Sequence, residues 1–214
     1  MTKPIMKNRS ILSRILLILI STFTLSGWSQ SLIILGDSLS ASYNIPLESG
    51  WVHLLESRLN KDYPDIKVLN TSISGEVTGN ALKRLPAILE QNKPAVVVIE
   101  LGGNDGLRGF PLKQVKANLE NMIKLSQAAG AKVVLTGIHL PPNYGPAYTQ
   151  IFSNAYQQLA TQYKTEFVPF ILQDVGDNPE LMQADGIHPT AEAQPIVLKN
   201  MWPAIEKAIN KISE

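Results

Sequence analysis

The chain has no cysteine among its 214 residues. That excludes a disulfide framework, a thiolate zinc site, a catalytic thiol and a lipid-modified cysteine behind an apolar leader. An excess of one charge is missing too. Nineteen Lys and Arg stand against 18 Asp and Glu, a formal net charge of +1 that is too even for the basic stripe of a nucleic-acid-binding protein. Four of those basic residues, Lys3, Lys7, Arg9 and Arg14, lie in residues 1–28, which hold no acid. Beyond them 15 basic face 18 acidic residues, so the remainder is mildly acidic. A hydrophobic share of 44% with 17% charged residues excludes a disordered, collagenous or coiled-coil chain. Neither GxGxxG at the first helix nor GxxxxGKS/T is present, which leaves a nucleotide-binding reading without support. Repeats, low-complexity tracts and linkers are absent as well, so the length fits one domain.

One apolar run stands apart. From Ile15 through Leu25 only Ser and Thr interrupt it, with a basic stretch before it and the small residues Ser26, Gly27 and Ser29 after it. This is the pattern of a secretory signal, and the run is short for a membrane span. An uncleaved amino-terminal anchor is the alternative. Leu32–Leu35 already reads as a buried strand, so cleavage is expected near Ser29. The expected division is a signal over 1–29 and a domain over 30–214. The domain is then periplasmic or secreted, with no stable membrane anchor after cleavage.

Further along, apolar runs recur at Leu32–Leu35, Ile66–Leu69, Ala95–Leu101, Lys132–Ile138 and Phe167–Phe170, which are candidate strands. Helical spacing fills the intervals: Trp51, Leu54, Leu55 and Leu59; Leu82, Leu85 and Leu89; Leu119, Met122, Ile123 and Leu125; Phe152, Tyr156 and Leu159. Alternating strands and helices with short connections predict an α/β fold, a mostly parallel five-stranded sheet covered by helices on both faces. Ligands of such sheets bind beyond the carboxyl ends of the strands, so the loops there carry the functional argument.

Those loops are polar and contain glycine. Gly36-Asp37-Ser38-Leu39-Ser40 follows the first strand, Asn70 to Gly75 the second, and Gly102-Gly103-Asn104-Asp105-Gly106 the third; Asp185-Gly186-Ile187-His188-Pro189 stands near the carboxyl end. Taken singly, each has a plain structural reading: Ser38 as a helix cap, the glycines as turn residues, Asn104 and Asp105 as turn formers, His188 as a surface or satisfied core histidine. Their convergence on one sheet edge favours chemistry. A serine hydroxyl needs a base, and the base needs an acid to fix its tautomer. Asp185 and His188, three residues apart across a glycine turn, are close enough to pair through Nδ1, which leaves Nε2 for Ser38. Pro189 restrains His188 further. Oxyanion donors are available in the Gly75 N–H, the Asn104 amide and the Ser38 N–H. The order Ser, Asp, His is also that of the α/β hydrolases, but their GxSxG turn is absent, because Ser40 stands where the second Gly belongs.

GDSLS at 36–40, Gly75 within NTSISGE, GGND at 102–105 and DGIHP at 185–189 together resemble the SGNH, or GDSL, hydrolases. The segments LIILGDSLSASY, VIELGGNDGLRGF, LPPNYG and DGIHPTAEAQP are most similar to the bacterial periplasmic thioesterase I, protease I and lysophospholipase group. The resemblance implies Ser38 as nucleophile, Asp185 and His188 completing the triad, and Gly75, Asn104 and the Ser38 N–H as oxyanion hole. It further implies a flavodoxin-like three-layer αβα sandwich with no cofactor and no metal. Glu76 to Asn80 departs from the family pattern, in a stretch expected beside the acyl pocket. Substrate contacts are expected from Leu107, Pro141 and Tyr144, with Leu140–Tyr144 and the loop Gly102–Gly109 as two walls of a groove. The expected activity is hydrolysis of acyl thioesters and carboxylic esters, including aryl esters and lysophospholipids, by a monomer that binds no nucleic acid. A carbohydrate O-acetylesterase is the alternative enzyme, and a non-enzymatic binding module on the same fold the alternative of another class.

Overall fold

The computed structural model describes residues 30–212, so the expected signal over 1–29 lies outside the described residues. Five strands form the sheet: β1 (Gln30–Gly36), β2 (Ile66–Asn70), β3 (Val96–Glu100), β4 (Lys132–Thr136) and β5 (Glu166–Val168). The helices are α1 (Trp51–Asp62), α2 (Thr78–Asn92), α3 (Gly103–Leu107), α4 (Leu112–Ala128), α5 (Pro146–Tyr163) and α6 (Gln194–Asn210). The strand order is β2-β1-β3-β4-β5, and every pairing is parallel.

Parallel strands covered on both faces must be apolar on both, and β1 and β3 are buried from end to end apart from Gln30. Alternate residues serve opposite layers. Leu32 and Ile34 of β1 and Val96 and Val98 of β3 pack under α1 and α6, through Trp51, Leu55, Val197 and Ile205. Leu35, Val97 and Ile99 pack under α2, α4 and α5, through Leu85, Leu119 and Phe152. The result is the expected three-layer sandwich.

Several details of these elements differ from the sequence reading. Beyond the ladder the apolar runs continue as loop, because Leu101 and Ile138 are buried by helices rather than by strand pairing. β5 stops at Val168, since Pro169 has no N–H to donate. Leu125 fits the helical spacing of α4 but is exposed, whereas Val115, Leu119, Met122 and Ile123 form the inward face.

Strand order reverses direction between β1 and its neighbours β2 and β3, the switch point where a crevice opens beyond the strand ends. Gly36 of β1 pairs in register with Glu100 of β3. The loop carrying Ser38 and the one carrying Asn104 therefore start side by side.

Candidate active site

Ser38 sits in the turn that leaves β1, and it caps no helix, since α1 begins only at Trp51. Its hydroxyl lies 2.8 Å from Nε2 of His188. On the other side of the ring, Nδ1 lies 2.7 Å from the Asp185 carboxylate. A ring nitrogen facing a carboxylate carries the proton, so Nε2 is left as acceptor for the serine hydroxyl. The other Asp185 oxygen accepts the N–H groups of Ile187 at 2.9 Å and His188 at 3.0 Å. Burial pushes the Asp185 carboxyl upward, but the hydrogen bonds from the His188 main chain, the His188 ring and Ile187 outweigh it and bring it down to about 2. The segment is held as a small hairpin. Met182 bridges Pro189, and Gln183 N–H donates to the His188 carbonyl at 2.7 Å. Tyr43 lies against the imidazole, ring centroids 4.4 Å apart.

The Ser38 N–H and the Gly75 N–H donate to no protein acceptor among the described residues. Gly75 has φ of +77°, a conformation that a side chain strains, and its carbonyl is held by the Arg108 guanidinium at 3.1 Å. Asn104, at the start of α3, gives one amide hydrogen to Asp37 at 3.0 Å and keeps the second. The turn before it needs glycine on two counts, since Gly102 has φ of +109° and no room for a side chain. A Cβ on Gly102 would lie 1.9 Å from the Tyr156 hydroxyl, which instead approaches closely enough to donate to the Leu101 carbonyl at 3.0 Å.

A cavity of about 490 Å³ opens beside Ser38, His188 and Asn104. Leu107, Ile138, Leu140 and Pro141 form an apolar side, with Phe170 and Leu172 contributing from the loop after β5. Of the three expected substrate contacts, Leu107 and Pro141 line the cavity and Tyr144 does not. The Tyr144 hydroxyl is turned into a hydrogen bond to the Leu107 carbonyl, 2.8 Å, so it ties one wall to the other. Glu76 to Asn80 is also absent from the lining; it enters α2, and Glu76 pairs with Arg84. Among the described residues no group of three or more His, Asp or Glu side chains is placed to hold a metal ion.

Two acids escaped the sequence reading. Glu100, fully buried, accepts the Ser40 hydroxyl at 2.8 Å. Asp105 does not bond its own backbone as a turn former would: it is buried and accepts both the N–H and the hydroxyl of Thr78 at the start of α2. The available signal was an acid inside a strand run for Glu100, and none beyond the GGND motif for Asp105.

Residues 34–195 match the profile of the GDSL-like lipase/acylhydrolase family. The chain is 51% identical over 178 residues to an esterase, TesA, of Pseudomonas aeruginosa, covering 83% of this chain and 89% of that protein. It is 40% identical over 182 residues to thioesterase 1/protease 1/lysophospholipase L1 of Escherichia coli K12, covering 85% and 86%. A crystal structure of TesA superposes with a TM-score of 0.82 at 51% identity, covering 84% of this chain and 99% of the other.

Proposed function

The chain belongs to the GDSL-like lipase/acylhydrolase family and is a serine ester hydrolase, and from that premise we propose that it transfers acyl groups from thioesters and carboxylic esters to water through an acyl-enzyme on Ser38. The observation that carries this reading is the continuous contact from the Ser38 hydroxyl through His188 to Asp185. In the first half-reaction His188 Nε2 takes the serine proton as Oγ adds to the substrate carbonyl carbon. The negative oxygen is received by the Ser38 N–H, the Gly75 N–H and the free amide hydrogen of Asn104. The intermediate collapses, the alcohol or thiol leaves with the proton held by His188, and water repeats the sequence to release the acid. Asp185 stays ionised throughout, stabilising the imidazolium.

The substrate class follows from the cavity. Leu107, Leu140 and Pro141 suit an acyl chain, and the volume is far more than an acetyl group fills, which counts against the carbohydrate O-acetylesterase alternative. The relatives' names, esterase and thioesterase 1/protease 1/lysophospholipase L1, fit small or lipid acyl esters as substrates. The protein is proposed to act as an exported monomer, after cleavage near Ser29. No helix among the described residues is long and apolar enough to cross a membrane.

A fluorophosphonate probe tests the reading directly. It should add one adduct per chain, located to Ser38 by peptide mass spectrometry, and Ser38→Ala should take none. Ser38→Ala and His188→Ala should each lower kcat for an octanoyl ester by about 10⁴-fold or more. An adduct on another residue, or a tenth of the wild-type rate in either variant, ends the assignment.

A further inference from the structure

Glu100 closes β3 in register with Gly36, so its carboxyl arrives beside the residue that precedes Ser38. Its Oε2 accepts the Ser40 hydroxyl at 2.8 Å and, at 3.4 Å, the Asp37 N–H. Its Oε1 is buried without a hydrogen-bond partner. Asp37, also buried, is supplied on both oxygens: Leu39 N–H at 3.1 Å on Oδ1 and the Asn104 amide at 3.0 Å on Oδ2. An ionised carboxylate out of water needs donors on both oxygens, and only Asp37 has them. Two adjacent buried acids cannot both carry charge unless a cation lies between them. No Lys or Arg is paired with either among the described residues.

We propose that Glu100 is a positioning residue that works in its neutral, protonated form, leaving the one negative charge of this buried pair on Asp37, where it holds the Asn104 amide in place for the oxyanion. The proposal rests on the role given to Asn104 above. A neutral carboxyl suits its surroundings. Across the 2.8 Å contact to Ser40 either oxygen can be the donor, and a bare carbonyl oxygen at Oε1 costs less than a bare carboxylate oxygen. The groups facing the pair agree. Burial is the largest effect on both acids, and the Asp37 charge raises Glu100 further, well above its ordinary range. For Asp37 the Leu39 N–H, the Asn104 amide and His188 pull against burial, and with Asp105 pushing the other way it is left at about 6. Tyr156 of α5, raised by burial and then by Asp105, Asp37 and Glu100, adds no charge at neutral pH.

Glu100→Gln keeps the shape and removes the ability to ionise, so it isolates the proton. A group whose folded pKa is raised stabilises the fold fully only below its unfolded value, and the stabilisation is lost as pH climbs through the folded value. Wild type should therefore lose ground to Glu100→Gln as pH rises from 4 to 8, seen as a growing difference in Tm. The infrared spectrum of wild type at pH 7.5 should contain the C=O stretch of a protonated carboxyl, and Glu100→Gln should lack it. A Tm difference that does not change with pH, or a wild-type spectrum without that band, overturns the proposal. Neither readout uses catalysis, so failure of the Ser38 assignment would leave both intact. Positioning is read separately: Glu100→Ala should lower kcat roughly tenfold or more with KM within about twofold, and Gln should restore most of that loss. Equal losses in Ala and Gln would refute the positioning role.

Discussion

Asn104 is a donor with a divided amide, one hydrogen on Asp37 and one unbonded, and it lines the same cavity as Ser38. In the oxyanion role proposed for it, the free hydrogen would meet full negative charge only once the carbonyl has been attacked, so its loss would fall on the transition state. Asn104→Ala should cut kcat by about 10² to 10³-fold with a much smaller change in KM; a change confined to KM would make it a substrate-positioning residue. Asp185 can be tested without substrate. Its carboxyl is held at about 2, below the unfolded value, so its stabilisation is present above about pH 4 and is lost as pH falls toward 2. The Tm deficit of Asp185→Asn should accordingly be largest near neutral pH and close between pH 4 and 2; a deficit that persists at pH 2 would place the effect elsewhere. Ser38 and Asn104 were legible in the sequence because each lies in a glycine-containing turn at a strand end, and His188 because it stands three residues after an acid across a glycine turn. Glu100 was not, since its one signal, an acid inside an apolar strand run, does not say what the carboxyl meets. Tyr144 was misplaced because spacing locates a side chain on a loop but does not decide which way its hydroxyl turns.

Among the elements, α2 shows how one loop organises the next. Val77, at its N-cap position, supplies no side-chain cap, and the need is met from another element: Asp105 of α3 accepts the Thr78 N–H and hydroxyl, while Asn118 of α4 donates to the same hydroxyl at 3.0 Å. The loop between β2 and α2 carries Gly75, so the cap and the loop of this proposed oxyanion donor are fixed together. Asp105→Ala strips a buried N–H of its partner and should destabilise the fold by about 2 to 4 kcal/mol, or roughly 5 to 15 °C in Tm. A loss below 1 kcal/mol by chemical denaturation would show that water or Asn118 replaces the cap. Strands and four helices were legible from period alone. The helix α6 was not, although it buries Val197, Met201, Trp202, Ile205 and Ile209 at helical spacing. Pro195 and Pro203 punctuate that stretch as loops do. In the folded protein Pro195 sits in the first turn, where its missing N–H costs nothing, and the packing of α6 on the sheet holds Pro203 inside the helix.

At the scale of the whole molecule, the strand order gathers four separate chain segments at one switch point, and the cavity beside them is the place proposed for the acyl chain. One wall is the α3 segment through Leu107, the other is Leu140 and Pro141, and the Tyr144 hydroxyl joins them by its bond to the Leu107 carbonyl. A chain lying between these walls buries apolar area with each added carbon. The gain is at most about 0.8 kcal/mol per methylene, close to a fourfold step in kcat/KM while the carbons still touch the wall. The rate should therefore climb from acetyl to octanoyl esters and level off once further carbons pass beyond the walls. Tyr144 acts on this profile as a tie rather than as a contact, so Tyr144→Phe, which keeps the ring and removes only the hydroxyl, is the informative change. It should lower kcat/KM for dodecanoyl esters roughly 2- to 12-fold, the worth of one hydrogen bond, and change acetyl esters by less than twofold. Measuring acetyl, octanoyl and dodecanoyl p-nitrophenyl esters with both proteins separates the possibilities. An equal loss at every length would place Tyr144 in the general stability of the loop, and a flat or falling profile in wild type would remove the acyl groove and favour the acetylesterase.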